Sequence, residues 1–180
     1  MDVSIVIPTK NAGQFFDKVL ESVFGQETEY QFEVICVDSG SSDETVSIIQ
    51  KYPCKFYEIP AEEFGHGKTR NFGASKGMGE YIVFLTQDAM PASPRWLQNF
   101  IDAMKSDPEI VGGFGIHYPY PDCNVLDKRD LYYHFKNFGE ENTIFQLTDA
   151  NRAQIEDIVT RKTGYSVSQL VISKMQTTES

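Results

Sequence analysis

Short β-branched runs alternate with stretches of helical period from residue 3 to about residue 105, and this alternation constrains the fold more than any other feature of the chain. Residues 3–7 (VSIVI) read as a strand that stops at Pro8, where the backbone donor is lost. Phe15, Phe16, Val19, Leu20, Val23 and Phe24 then recur at 3.6-residue spacing before Gly25, which predicts an amphipathic helix with a stop signal. A second strand is expected over 32–37, a helix over 44–51, a third strand over 55–59, a helix over 68–76 and a fourth strand over 81–86. Ser93 and Pro94 form an N-cap and N1 pair for a helix whose Trp96, Leu97, Phe100, Ile101 and Met104 share a face. A fifth short strand near 110–114 closes the pattern. Strands this short joined by helices pair in parallel through right-handed crossovers, so the fold class is α/β, a mostly parallel sheet flanked by helices.

In open sheets of this kind ligands bind beyond the carboxyl ends of the strands. Those ends read Pro8-Thr9-Lys10-Asn11, Asp38-Ser39-Gly40 and Thr86-Gln87-Asp88, polar residues at each place where a crevice is expected. The length of 180 residues suits one compact domain, with 41% hydrophobic and 23% charged residues and no apolar run of membrane-spanning length. The net charge of −10 argues against nucleic-acid binding, which relies on clustered Lys and Arg. It also means that a bound diphosphate needs a local cation, an Arg or Lys, or backbone donors. Cys36, Cys54 and Cys123 lack metal-ligand spacing and read as reduced thiols, and the N-terminus carries no readable signal peptide.

Each motif has a bland reading. "IVIPTKN" is a strand followed by ordinary turn residues. In "VDSGSSDET", Ser42 or Asp43 can cap the second helix and Gly40 can supply a positive φ. The functional reading has Asp38 accept a hydrogen bond from the imide N–H of a pyrimidine base. In "GHGKTRN", Gly65 and Gly67 permit close approach of a ligand, and Arg70 can meet diphosphate oxygens, although the spacing is not that of a P-loop. His66 reads equally as a loop residue, and His117 and His134 as structural ones. No GxSxG or HExxH pattern is present.

Taken in order, VSIVIPTKN, FEVICVDSGSSDET, GHGKTRNFGA, GEYIVFLTQDAMP and the WLQNF helix resemble the family 2 inverting glycosyltransferases. GHGKTRN and FLTQDA look like the bacterial rhamnosyltransferase branch, and the likeness extends to about residue 140 through PYPD and KRDLYYHF. The resemblance implies a GT-A (Rossmann-like) fold, with a donor-binding core over 1–117 and an incomplete acceptor-side region and tail over 118–180. It implies nucleotide-sugar binding by Pro8, Thr9, Asn11, Asp38, Gly40, Arg70, Gln87 and Asp88. Gln87 and Asp88 fall where the family places its metal motif, so Asp88 is the expected ligand of Mg²⁺ or Mn²⁺. Gln87 supplies a neutral oxygen where many relatives have a carboxylate.

The implied reaction moves a sugar, rhamnose on the branch resemblance, from a nucleoside-diphosphate donor to a glycan or lipid-linked glycan acceptor, with inversion. Such a protein is expected in the cytoplasm, with a lipid-linked acceptor bringing it to the inner membrane surface. Inversion needs a general base, and the family's Ser-Asp-Asn-Asn-like stretch is missing where GYSVSQLVISKMQTTES stands. Asp149, Glu156 and Asp157 are available, but no motif singles out any of them, so the catalytic base is unassigned. The alternative expectation is a truncated, catalytically inactive nucleotide-sugar-binding module. A nucleotidyltransferase is disfavoured because Pro8-Thr9-Lys10-Asn11 stands where a GxGTRL-like loop would be.

Overall fold

The computed structural model describes residues 1–135 and 171–172. Four parallel strands, β1 (Val3–Thr9), β2 (Phe32–Asp38), β3 (Lys55–Glu58) and β4 (Tyr81–Phe84), form one sheet in the order β3-β2-β1-β4. The helices are α1 (Phe15–Phe24), α2 (Thr45–Ile49), α3 (His66–Ser75) and α4 (Trp96–Lys105), with a 3₁₀ turn at Ala61–Glu63. The expected α/β architecture is therefore present.

Both faces of the sheet are buried, which accounts for apolar runs where a half-exposed strand would alternate. Val3, Ile5, Ile7, Val34 and Cys36 pack with Phe16, Val19, Leu20 and Val23 of α1 and with Leu97, Ile101 and Met104 of α4. Val6, Ile35, Val37 and Ile82 face the other way with Ala74 of α3. At Gly73 of α3 an added Cβ would lie 2.4 Å from Val6 Cγ1, so glycine sets how closely this helix approaches β1.

Several boundaries differ from those expected: β4 ends at Phe84 rather than 86, α3 runs His66–Ser75 rather than 68–76, α2 is shorter than 44–51, and three further differences have an identifiable cause. β1 continues through Pro8, which pairs in register with Val37. In a parallel strand successive residues bond to opposite neighbours: Thr9 O accepts from Ser39 N beyond the end of β2, and Val6 O accepts from Leu85 N beyond β4. Pro8 shares the parity of Val6, so its missing donor faces the β4 side, where pairing has ended at Val6↔Phe84. Helix α4 starts at Trp96: Ser93 O accepts both the Trp96 amide (3.1 Å) and Gln26 Nε2 (3.0 Å), while Pro94 O accepts from Glu27 N (2.7 Å) of a distant segment. Gln26 Oε1 in turn caps the Leu97 amide from a distant segment (2.9 Å). The fifth strand, β5, is only Gly112–Gly113, and it pairs antiparallel with β6 (Val171–Ile172) in a separate two-stranded sheet.

The chain divides into two compact units, Met1–Gly113 with Val171–Ser180, and Phe114–Leu170. The second contains helix α5 (Val125–Phe135), beyond the strand-helix pattern expected from sequence. Asn124 opens it by accepting the Leu126 and Asp127 amides on Oδ1, both at 2.9 Å. Among the described residues no helix is long and apolar enough to cross a membrane.

At the amino end of the sheet a buried knot ties four segments together. Glu33 Oε1 accepts from Ser4 Oγ (2.7 Å) and Met78 N (2.6 Å), Glu33 Oε2 meets Lys55 Nζ at 2.6 Å, and Ser4 Oγ accepts from Gly79 N (2.8 Å). Burial pushes the Glu33 pKa up, but Lys55 and the two hydrogen bonds outweigh it and hold the carboxyl below its ordinary value. A depressed folded pKa contributes stability present above the unfolded pKa and lost as pH falls through the folded value. Glu33→Gln should therefore unfold more readily at neutral pH and show a smaller loss of urea midpoint below about pH 4 than the parent. Equal acid slopes in the two proteins would contradict this role.

Candidate functional site

The carboxyl edge of the sheet is built from the loop after β1 and the loop after β2, laced together residue by residue. Asp38 lies at its centre with no exposed surface. Its Oδ1 accepts from Thr9 Oγ1 (2.9 Å) and Ser41 Oγ (2.6 Å), and its Oδ2 from Gly40 N (3.0 Å) and Ser41 N (2.7 Å). Gly40 takes a positive φ of 81°, which turns its amide back onto that carboxylate.

Lys10 reaches across and donates through Nζ to the carbonyls of Ser39, at 2.9 Å, and Gly40. Asn11 has φ 46°, a left-handed conformation that Asn tolerates better than most residues. Its amide donates to Ser41 Oγ and its Oδ1 accepts from Ser42 N, both at 2.8 Å. Further along, Ala12 N donates to Thr45 Oγ1 (2.8 Å) and Gly13 N to Asp43 Oδ2 (3.0 Å). Asp43 Oδ1 accepts from the amide and hydroxyl of Thr45 at the start of α2, which fits the capping role. The Thr45 hydroxyl bond, followed by backbone donors, holds the Asp43 carboxyl below its usual range against an opposing push from burial.

β4 completes the edge. Beyond Phe84, Gln87 and Asp88 occupy a turn in which Ala89 N donates to Thr86 O (3.1 Å). Asp88 is exposed. Gln87 pairs its amide with the peptide of Lys10: Lys10 N donates to Oε1 (2.7 Å) and Nε2 donates to Lys10 O (3.1 Å).

Of the residues predicted from sequence, Thr9, Asn11, Asp38 and Gly40 are thus joined in one network, Gln87 is tied to it through Lys10, and Pro8 is half-buried in β1. Arg70 is 6% exposed on α3, and its Nη1 donates to His66 O at 3.3 Å. His66 is exposed and lies edge-on to Phe64, with ring centroids 5.1 Å apart. Sequence reasoning passed over Lys10, Ser41 and Thr45, and the signal available for them was their position within TKN and SGSSDET. Asp149, Glu156 and Asp157 lie outside the described residues, as does the side chain of His134. A shallow cavity of about 280 Å³ lined by Glu27, Thr28, Glu29, Arg95 and Gln98 involves none of the strand ends.

A hard divalent cation in a nucleotide site takes one or two carboxylates and completes its shell with phosphate oxygens and water. Among the described residues no group of three or more His, Cys, Asp or Glu could hold a metal alone. An exposed single carboxylate, Asp88, nonetheless fits a site completed by a ligand's diphosphate.

Comparison with known proteins follows the same geometry. The O-antigen chain rhamnosyltransferase RfbN of Salmonella typhimurium is 37% identical over 128 residues, covering 70% of this chain and 40% of that protein. The matched region therefore covers well under half of this curated relative. The crystal structure of S. aureus TarS 1-349 superposes with a TM-score of 0.52 at 27% identity, over 58% of this chain and 32% of that one. A mannosyltransferase from Pyrobaculum calidifontis, PcManGT, solved with GDP-Man and Mn²⁺, gives a TM-score of 0.53 at 24% identity over 61% and 34%. The parallel sheet and its flanking helices are thus the GT-A arrangement. With the glycosyl transferase family 2 model matching residues 4–160, the chain belongs to glycosyl transferase family 2.

Proposed function

We propose that this chain forms the donor-binding part of an inverting glycosyltransferase that moves a sugar from a nucleoside diphosphate to a glycan or lipid-linked precursor of a cell-surface polysaccharide. The likeness to a rhamnosyltransferase favours rhamnose as the sugar, and dTDP is taken as its carrier on the branch resemblance alone. The observation that carries the reading is convergence: three motifs separated by some thirty to fifty residues end at one edge of a parallel sheet. That edge is where such sheets bind ligands.

The residues divide the work. Asp38 and Lys10 fix the loops after β1 and β2, so that Thr9, Asn11 and Gly40 form a preset wall for the nucleoside. Arg70, buried in the middle of α3, is the positive charge this reading assigns to the diphosphate. Asp88 would hold Mg²⁺ or Mn²⁺ together with the diphosphate oxygens, a cation of the kind found with GDP-Man in the mannosyltransferase that shares this fold. Such a cation offsets the negative charge that develops on the leaving diphosphate. Inversion further requires a base to take the acceptor hydroxyl proton as that oxygen attacks the sugar carbon from the face opposite the diphosphate. No described residue is assigned that role. Action on a lipid-linked acceptor would place the protein at the cytoplasmic face of the membrane.

One observation favours a second reading: the base-bearing motif is missing from the sequence, so the chain can be a binding module without transfer activity. Incubation with dTDP-rhamnose, Mn²⁺ and an acceptor extract, alongside calorimetry with dTDP, separates the two. Transfer supports the enzyme, binding without transfer supports the module, and absence of binding rejects both.

A further inference from the structure

The strand order β3-β2-β1-β4 reverses at β1, because the chain proceeds outward through β2 and β3 and then returns to the far side of β1 for β4. A reversal of this kind opens a crevice between the two strands at their carboxyl ends. Regular pairing across it stops at Val6↔Phe84, and the last backbone rung is Leu85 N to Val6 O at 3.1 Å. Pro8 cannot donate towards β4, so the ladder has no backbone continuation there. The next tie across the opening is the side chain of Gln87, whose amide gives and receives one hydrogen bond each with the Lys10 peptide, at 3.1 and 2.7 Å.

We propose that Gln87 is a positioning residue whose side-chain amide replaces the missing ladder rung at the β1/β4 crevice, setting the spacing between the loop that carries Asn11 and the turn that carries Asp88. This rests on the nucleotide-binding reading of the same edge. It gives Gln87 a different task from that of a neutral metal ligand. Its Oε1 is aimed at Lys10 N, and only a group with both a donor and an acceptor can make this pair. A carboxylate has no donor and would place its second oxygen against the Lys10 carbonyl. A protonated carboxyl has both and restores the pair.

Gln87→Glu is therefore the informative variant, with Gln87→Ala beside it. For nucleotide affinity, measured by calorimetry with dTDP and Mn²⁺ at pH 7.5, both variants should bind about tenfold more weakly than the parent, the scale of one lost hydrogen bond at a site that must stay ordered. A direct ligand role predicts the opposite for Gln87→Glu, because a carboxylate binds Mn²⁺ more tightly than an amide does. For stability at pH 7.5, the urea midpoints of both variants should fall below that of the parent, with Gln87→Glu at least as low as Gln87→Ala because its second oxygen faces the Lys10 carbonyl. Affinity of Gln87→Glu within twofold of the parent or tighter overturns the proposal. If the parent binds no dTDP, the nucleotide reading fails by itself, and the urea midpoints alone decide the rung: both variants below the parent uphold it, and a Gln87→Glu midpoint equal to the parent's overturns it.

Discussion

Asp38→Ala should lower the melting temperature by roughly 10 °C and abolish nucleotide binding together. The carboxylate is wholly buried and accepts from four donors, two hydroxyls and two amides. Its removal strands the Thr9 hydroxyl, itself 2% exposed, and releases the amides that hold the loop after β2 against the loop after β1. Unsatisfied buried donors cost about 1–3 kcal/mol each, and water can reach Gly40 and Ser41, so a net loss of about 3 kcal/mol is expected. At about 2–4 °C per kcal/mol for a chain of this size, that gives the stated shift. Asp38→Asn, which keeps the shape and one acceptor, should lie between the variant and the parent. A residue whose only task was to meet a base would leave the melting temperature unchanged on removal. An Asp38→Ala shift under about 2 °C would thus remove the organising role proposed for it.

Gly79→Ala should be comparably damaging to stability for a different reason, and should do so far from the site. A Cβ at this position would lie 2.4 Å from Ser4 N, 2.5 Å from Val3 C and 2.8 Å from Val3 Cα. These are backbone atoms of the central strand, which cannot yield as a side chain can. At Gly73 the closest atom is a Val6 methyl carbon, which a rotamer change can move. Overpacking against backbone belongs at the upper end of the usual range, about 3 kcal/mol, and would also break the Gly79 N bond to Ser4 Oγ. Thermal unfolding should therefore rank Gly79→Ala well below Gly73→Ala in stability. The reverse order would mean that the amino end of β1 is more pliant than its packing implies.

Periodicity located each strand of the parallel sheet and each helix up to α4 because a two-sided sheet writes its burial directly into apolar runs and 3.6-residue stripes. The boundaries were set by contacts that no local signal carries. Pro8 ends a strand by the usual rule, but here its missing donor faces a side that has already lost its partner strand. Ser93 and Pro94 have the composition of a helix start, yet the Pro94 carbonyl is taken by Glu27 from another segment, the Ser93 carbonyl is shared between Trp96 N and Gln26, and Gln26 also caps the Leu97 amide. α5 was missed because its apolar residues are scattered around the helix, with Val125, Leu126, Tyr132 and Tyr133 all exposed, so no stripe marks it.

At the site, the strand ends were legible as a group because topology alone brings Thr9, Asp38 and Asp88 to one edge. Their division of labour was not. Asp38 reads as a ligand contact in sequence and proves to be the buried anchor of two loops. Gln87 reads as a substitute ligand and is bonded to a peptide group 77 residues earlier in the chain. Both facts depend on pairings between segments that the local sequence does not record.

The carboxyl edge is proposed as a nucleoside-diphosphate site in which Asp88 serves the cation. Calorimetric titration of the chain and of Asp88→Ala with dTDP, each with and without Mn²⁺, tests this most directly. Mn²⁺ should tighten binding to the parent about tenfold or more and leave the affinity of Asp88→Ala unchanged, with the two proteins binding alike when metal is absent. Equal metal enhancement in both proteins, or no binding of dTDP to the parent under any condition, would contradict it.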